Sequence, residues 1–473
     1  MRRSRKVAPE PLSIAGCFML LRYCTHAAIL LAAASPLPAQ RARLSVPAKI
    51  DSLPNGLRVI IHEDHSAPIV TVNLWYHVGS SDERPGRTGF AHLFEHLMFT
   101  GSLNAPYPAF DRLLEAAGAE SNGSTTQDRT NYYESGPANA LPLMLWLEAD
   151  RMGWLLPTLT TERVDVQRDV VKNERRQSYE NRLYGLAYET LLRMLYPSQH
   201  PYSWPTIGSM ADLSAATTED VKDFFDRYYS PNNAALVVAG DVKASEVLAL
   251  VRRYFLEIPR GPAVQRAEAP PVTLTRDTVG VLEDRVPLPR IYLTWPSVPG
   301  YAPDDAALDL LAYVLAGEKN SRLTSRLVFQ GQIATSVLAY QESGRVAGRF
   351  TIYATARPEH DLRQLQADLD DELRRLATDG VSAGELEQAK NATEASFLQR
   401  IERVADKADQ LNAYYDRLGR PDYFELDLAR YRAVTTDDVR RVARVYLGAH
   451  RVMLSVVPQG RQDLAVPVAE VTP

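Results

Sequence analysis

Three side chains able to build a metal hydrolase site fall within five residues of an apolar segment: His92, Glu95 and His96, in the run Gly89-Phe90-Ala91-His92-Leu93-Phe94-Glu95-His96-Leu97-Met98-Phe99. On a helix, residues four apart lie on one face, one turn apart, so the two imidazoles can reach a single ion. Glu95, one residue before the second histidine, shares that edge and can polarise a water. Zinc suits imidazole ligands, and a catalytic zinc takes three protein ligands and keeps one position for water. The competing explanation is a helix that carries these residues by accident. With 9 His in 473 residues, a chance H-x-x-E-H is an event of about one per cent. The apolar flanks also disfavour polar groups that lack a partner.

Two histidines do not close a zinc site, so a third ligand must come from another element. The segment from Thr160 to Tyr184 reads as one long helix, with Val164, Gln167, Val171 and Glu174 on a single stripe. A glutamate on a stripe that otherwise faces inward is costly unless paired. Glu174 is therefore the candidate ligand; Glu162 and Glu180 lie on other faces. A surface glutamate paired with the neighbouring Arg175 or Arg176 is the bland alternative.

In the common zinc peptidase motif the glutamate follows the first histidine, whereas here it precedes the second, the inverted form. At this point the sequence resembles the M16 (pitrilysin-like) metallopeptidases, and within them the zinc-bearing subunits of bacterial relatives of the mitochondrial processing peptidase. The matching residues run from Leu53-Pro54-Asn55-Gly56-Leu57 through Trp75 to Ser80, Glu83, and Thr88-Gly89. They continue through Phe99-Thr100-Gly101-Ser102, Asn122, Asp128, Thr130, Tyr132, His200-Pro201-Tyr202, Gly208 and Tyr229 to Asp241. The resemblance implies a zinc endopeptidase with one Zn²⁺ held by His92, His96 and Glu174 and with Glu95 as general base. It implies an edge strand at Asn122, Gly123 and Ser124 that binds the substrate backbone by strand addition; an ordinary edge strand with a polar face is the alternative. Well-known relatives carry a second glutamate seven residues before the distal ligand, where this chain has Gln167, which leaves the surroundings of the metal less acidic. Catalytically complete relatives also follow a Ser-Arg-Leu signature, here Ser321-Arg322-Leu323, with an arginine and then a tyrosine. The aligned positions are Val328 and Thr335. The resemblance therefore implies a heterodimer in which a second M16-like subunit supplies that pair; a homodimer or monomer whose other residues replace it is the alternative.

Length, charge and repetition frame this site. A chain of 473 residues exceeds what one core normally supports. Its net charge of -5 gives no electrostatic reason to expect nucleic acid, and no internal apolar run reaches the length of a membrane span. The N-terminus reads differently. Arg2, Arg3, Arg5 and Lys6 precede an apolar stretch ending at Pro36-Leu37-Pro38-Ala39, as in a secretory signal over 1–39. Arg22 interrupts that stretch, which makes Met19 an alternative start. This directs the protein to the periplasm or outside the cell. Ile14-Ala15-Gly16-Cys17 looks like a lipoprotein box but lacks the apolar core that such a signal needs. Cys17 and Cys24 both fall within this segment, so a mature chain has no thiol for disulfides or metal.

An internal repeat sets the architecture. Thr217-Thr218-Glu219-Asp220-Val221 through Leu236-Val237-Val238 aligns without gaps on Thr435-Thr436-Asp437-Asp438-Val439 through Leu454-Ser455-Val456. Each copy reads as a capped amphipathic helix followed by an apolar strand. The expected fold is α+β: two homologous domains, 40–260 with the metal motif and 280–473 without it, each a mostly antiparallel sheet packed with helices. The proline-rich stretch within 261–279 is the expected linker. Three function classes fit: a zinc endopeptidase acting on peptides or small unfolded proteins, a maturation peptidase for one specific peptide precursor, and a largely structural subunit. Subunits of the last kind usually lose the zinc residues, whereas this chain keeps all four.

Overall fold

The computed structural model describes residues 44–266, 269 and 271–467. The expected signal segment 1–39 and both cysteines lie outside the described residues. The first sheet contains β1 (Lys49–Ser52), β2 (Arg58–Glu63), β3 (Ile69–Tyr76), β4 (Glu120–Thr125), β5 (Thr130–Pro137) and β6 (Ala234–Gly240), in the order β1-β2-β6-β3-β5-β4. The second contains β7 (Thr278–Asp284), β8 (Arg290–Ser297), β9 (Ala334–Ser343), β10 (Gly348–Ala356) and β11 (Val452–Pro458), in the order β7-β11-β8-β10-β9. Each sheet has a single parallel pairing, β2 with β6 and β7 with β11; the other neighbours run antiparallel. The fold is thus α+β and duplicated, as the repeat implies.

Seven helices matter to the site: α1 (Phe90–Leu97), α2 (Leu141–Trp154), α3 (Thr161–Arg175), α4 (Ala187–Leu195), α5 (Thr218–Tyr228), α6 (Val404–Leu418) and α7 (Thr436–Val442). The repeat reappears in the caps of α5 and α7. Thr217 accepts from the Asp220 N–H, whose side chain bonds back to Thr217, and Thr435 and Asp438 do the same. Beyond α5 and α7 come the central strands β6 and β11.

The halves exchange helices. Along β3 the side chains of Val70, Val72, Leu74 and Tyr76 enter the first core, and the alternate residues face the other way. That second face meets α6, which belongs to the second half: Asp409 accepts from the side chains of Asn73, Trp75 and Asn131, and Asn412 donates to the Asn73 carbonyl at 2.9 Å. Reciprocally, α4 of the first half buries Ala187, Leu191, Leu192 and Leu195 against Tyr292, Val452, Leu454 and Val456 of the second sheet. Each half therefore covers a sheet face of the other, and neither buries its own sheet alone.

One buried charge cluster supports the site from below. Arg151 on α2 is 1% exposed, donates to Glu134 at 3.0 Å and to Glu148 at 2.8 Å, and lies over the rings of Tyr132, Phe110 and Phe99. Burial, and then the charge of Glu148, push the Glu134 carboxyl well above its usual range. Removing the guanidinium leaves the carboxyl groups of Glu134 and Glu148 buried without their cationic partner. Arg151→Met should therefore destabilise the fold by about 3–5 kcal/mol at neutral pH, measured by urea unfolding. A loss below about 1 kcal/mol, the range of an exposed pair, would show that the cluster is not held by its charge.

Candidate metal centre

α1 starts where it does because of glycine and a buried carboxylate. Gly89 caps the helix at φ +92°, and a Cβ there would meet the Ile207 carbonyl at 2.8 Å, so the position needs both the backbone freedom and the missing side chain. Glu83 accepts from the N–H groups of Gly89 and Ala91, each at 2.9 Å, and so satisfies two of the helix's free donors. Phe90, Leu93, Phe94 and Leu97 are buried, with Phe94 against Phe224, Phe225 and Tyr229. This packing fixes the rotation of the helix and turns His92, Glu95 and His96 to its other side.

α3 carries the stripe that the sequence shows. Val164 and Val171 are buried, and Gln167 and Glu174 are half-buried. Its length differs from expectation. The α-helix ends at Arg175, a wide π turn occupies Arg176–Glu180, and Tyr184 takes φ +60°. The chain leaves the helix because it must cross to the second sheet as α4. There the Tyr184 N–H meets Asp284 at 3.1 Å and its hydroxyl meets the Leu288 carbonyl at 2.8 Å. Arg175 secures the helix end, donating to the Gly208 carbonyl at 2.8 Å and to Glu189 at 2.7 Å. Gly208 packs directly on Gly89. The end of α3 and the start of α1 are thus braced on the same loop.

That bracing brings the three candidate ligands together. The Nε2 atoms of His92 and His96 lie 3.6 and 3.2 Å from the same Glu174 oxygen, Oε2, and one ligand atom from each residue lies within 4.8 Å of the others. Among the described residues Glu174 alone of the three glutamates considered joins this group; Glu180 faces Arg175 at 3.6 Å. Burial pushes the His92 imidazole down. A hydrogen bond from His96, joined by the charge of His92, outweighs burial and holds Glu174 down. A neutral imidazole and an ionised carboxylate are the forms that bind metal. Two imidazole nitrogens and one carboxylate oxygen form a donor set of catalytic zinc, so the residues fit that ion.

Glu95 stays outside the ligand group and faces β4. Thr125 at the end of that strand donates to Glu95 Oε2 at 2.6 Å. The sequence gives no signal for this bond, because it joins residues 30 apart. β4 is an edge strand of its sheet, and a Cβ on Gly123 would come within 3.2 Å of Glu95 Cγ. Asn122 accepts from the Gly123 N–H at 2.8 Å, while the carbonyl and hydroxyl of Ser124 accept from Arg129 at 2.8 and 2.6 Å. Ser124 is thereby tied to its own hairpin.

In the second half Arg322 pairs with Glu385 and Glu372, and Arg326 with Asp368, Asp371 and Glu372. Val328 packs on the second core, and the Thr335 hydroxyl donates to the Thr355 carbonyl at 3.3 Å.

The chain is similar to known proteins over most of its length. A family model described as insulinase (peptidase family M16) matches residues 58–200, and one described as the peptidase M16 inactive domain matches 215–393. The chain belongs to the M16 peptidase family. It is 29% identical over 404 residues to a Helicobacter pylori protein named zinc protease PqqE, covering 84% of this chain and 89% of that one. It is 27% identical over 435 residues to a probable mitochondrial-processing peptidase subunit beta of Arabidopsis thaliana, covering 88% and 79%. The crystal structure of a protease from Helicobacter pylori superposes with a TM-score of 0.80 at 27% identity, covering 87% of this chain and 100% of the other. His92, Glu95, His96 and Glu174 all lie in the segment matched by the insulinase model. Among the described residues no helix is long and apolar enough to cross a membrane.

Proposed function

We propose that this M16 chain is a zinc endopeptidase of the periplasm or the extracellular space, acting on peptides or small unfolded proteins. The observation that carries the reading is the convergence of His92, His96 and Glu174, from two separate helices, on one point. One zinc per chain, held by these three residues, would supply Lewis acidity to a water and to the scissile carbonyl. Glu95 takes a proton from the water as its oxygen attacks, then returns the proton to the leaving amine. β4 at Asn122 and Gly123 offers its edge to the substrate backbone, with Ser124 stiffening the strand. The working unit is a heterodimer with a second M16-like subunit. Within the chain, residues 261–279 link the zinc-bearing half, 40–260, to the second half, 280–473.

The test is metal analysis of the purified chain. Zinc should be near one equivalent, and His92→Ala and Glu174→Ala should each lose at least ~90% of it after dialysis, since a site of three protein ligands does not survive on two. Full retention in Glu174→Ala would remove it from the ligand set.

A further inference from the structure

Glu95 is oriented from outside its own helix. A glutamate carboxylate ends three rotatable bonds, and ordering such a side chain costs up to about 2 kcal/mol of conformational freedom, so a general base of this kind needs something to hold it. The β4–β5 hairpin grips α1 at two consecutive residues. The Tyr132 hydroxyl donates to the Phe94 carbonyl at 3.2 Å, and the Thr125 hydroxyl donates to Glu95 Oε2 at 2.6 Å. The hairpin itself is stiff: Arg129 reaches back to Ser124, and the Thr126 N–H meets the Arg129 carbonyl at 2.8 Å. Among the described residues Glu95 Oε1 accepts no hydrogen bond. One carboxylate oxygen is occupied and the other is left for chemistry.

We propose that Thr125 is the positioning residue of the general base: its hydroxyl fixes Oε2, so that Oε1 is the atom that takes the proton from water. The proposal rests on the peptidase reading given above. When a water O–H bond breaks and its proton moves to Oε1, the electron pair stays on the attacking oxygen. Oε2 then becomes the carbonyl-like oxygen of a neutral acid, which is still an acceptor. The Thr125 bond therefore persists through the transfer and keeps Oε1 on the same path when the proton passes to the amine. Thr125 also stands on the strand that offers its edge to the substrate. One element thus places both the peptide backbone and the base, which is how positioning lowers a barrier without touching the reacting atoms.

Two variants separate the hydroxyl from the shape of the side chain. Thr125→Val keeps the volume and removes the donor; Thr125→Ser keeps the donor. Zinc content should match wild type in both. On a fluorogenic peptide, with a partner subunit present where activity needs one, Thr125→Val should lose at least ~10-fold in kcat with KM within ~2-fold, and Thr125→Ser should stay within ~3-fold of wild type. In the Glu95→Gln background Thr125→Val should add no further loss. Crystal structures of the zinc-loaded chains give a readout independent of turnover: the Glu95 carboxylate should hold one orientation in wild type and Thr125→Ser and several in Thr125→Val. Unchanged kcat in Thr125→Val, an unmoved Glu95, or zinc loss on removal of the hydroxyl would each overturn the proposal. The peptidase reading fails separately, through a wild-type chain that binds no zinc or a Glu95→Gln variant that is fully active.

Discussion

Glu95→Gln should keep its zinc and lose at least ~10²-fold in turnover, the lower range for a missing general base. The amide matches the carboxylate in shape and still accepts from Thr125, so the contact at 2.6 Å survives and the helix is undisturbed. What disappears is the ability to take a proton. Because Glu95 is absent from the group of converging ligand atoms, metal content should not change, and the loss should fall on kcat rather than KM. Measuring zinc and steady-state kinetics on the same preparation separates the roles. Substantial activity in this variant would mean that another group activates the water, and a parallel loss of zinc would make Glu95 a ligand.

Much of this site was legible because its parts are local. The i, i+4 spacing of His92 and His96 needs only a helix, and the apolar residues between them require one. Glu174 was legible from the stripe of Val164 and Val171, whose burial fixes the direction of the glutamate about one turn after Val171 on the same face. The repeat, with its paired caps at Thr217 and Thr435, announced the two sheets. What stayed hidden depends on contacts distant in sequence. Nothing local says that α4 and α6 cross to the opposite sheets, and for the same reason the helix carrying Glu174 reads as continuing to Tyr184. Its residues remain acceptable helix formers, and the contacts that mark its end are tertiary: Arg175 to Gly208 and Glu189, and Tyr184 to Asp284 and Leu288. The capping of α1 by Glu83 and the grip of Thr125 on Glu95 are likewise tertiary. They bridge a turn and a strand that the pattern of hydrophobic residues does not bring together.

Purified alone, the chain should be a poor peptidase, and addition of a second M16-like subunit that lacks H-x-x-E-H but carries the arginine and tyrosine should raise its rate by about 10²–10³. The argument starts from what the second half offers. Val328 and Thr335 stand at the positions where the family resemblance places those two residues, and neither can replace them: Val328 packs on the core and the Thr335 hydroxyl is turned to the Thr355 carbonyl. The nearby arginines are already committed. Arg322 is held by Glu385 and Arg326 by Asp368 and Asp371, and withdrawing either would take the guanidinium from Glu385 or from Asp368. A metal and a base can start the attack, but charge that develops on the carbonyl oxygen needs donors aimed at it beforehand. Losing one such donor costs roughly 3–4 kcal/mol of barrier. The comparison is kcat/KM of the chain alone against the chain titrated with its partner, with Glu95→Gln as the control that any gain passes through this site. Full activity as a lone polypeptide, unaltered by the partner, would show that residues of this chain supply the donors.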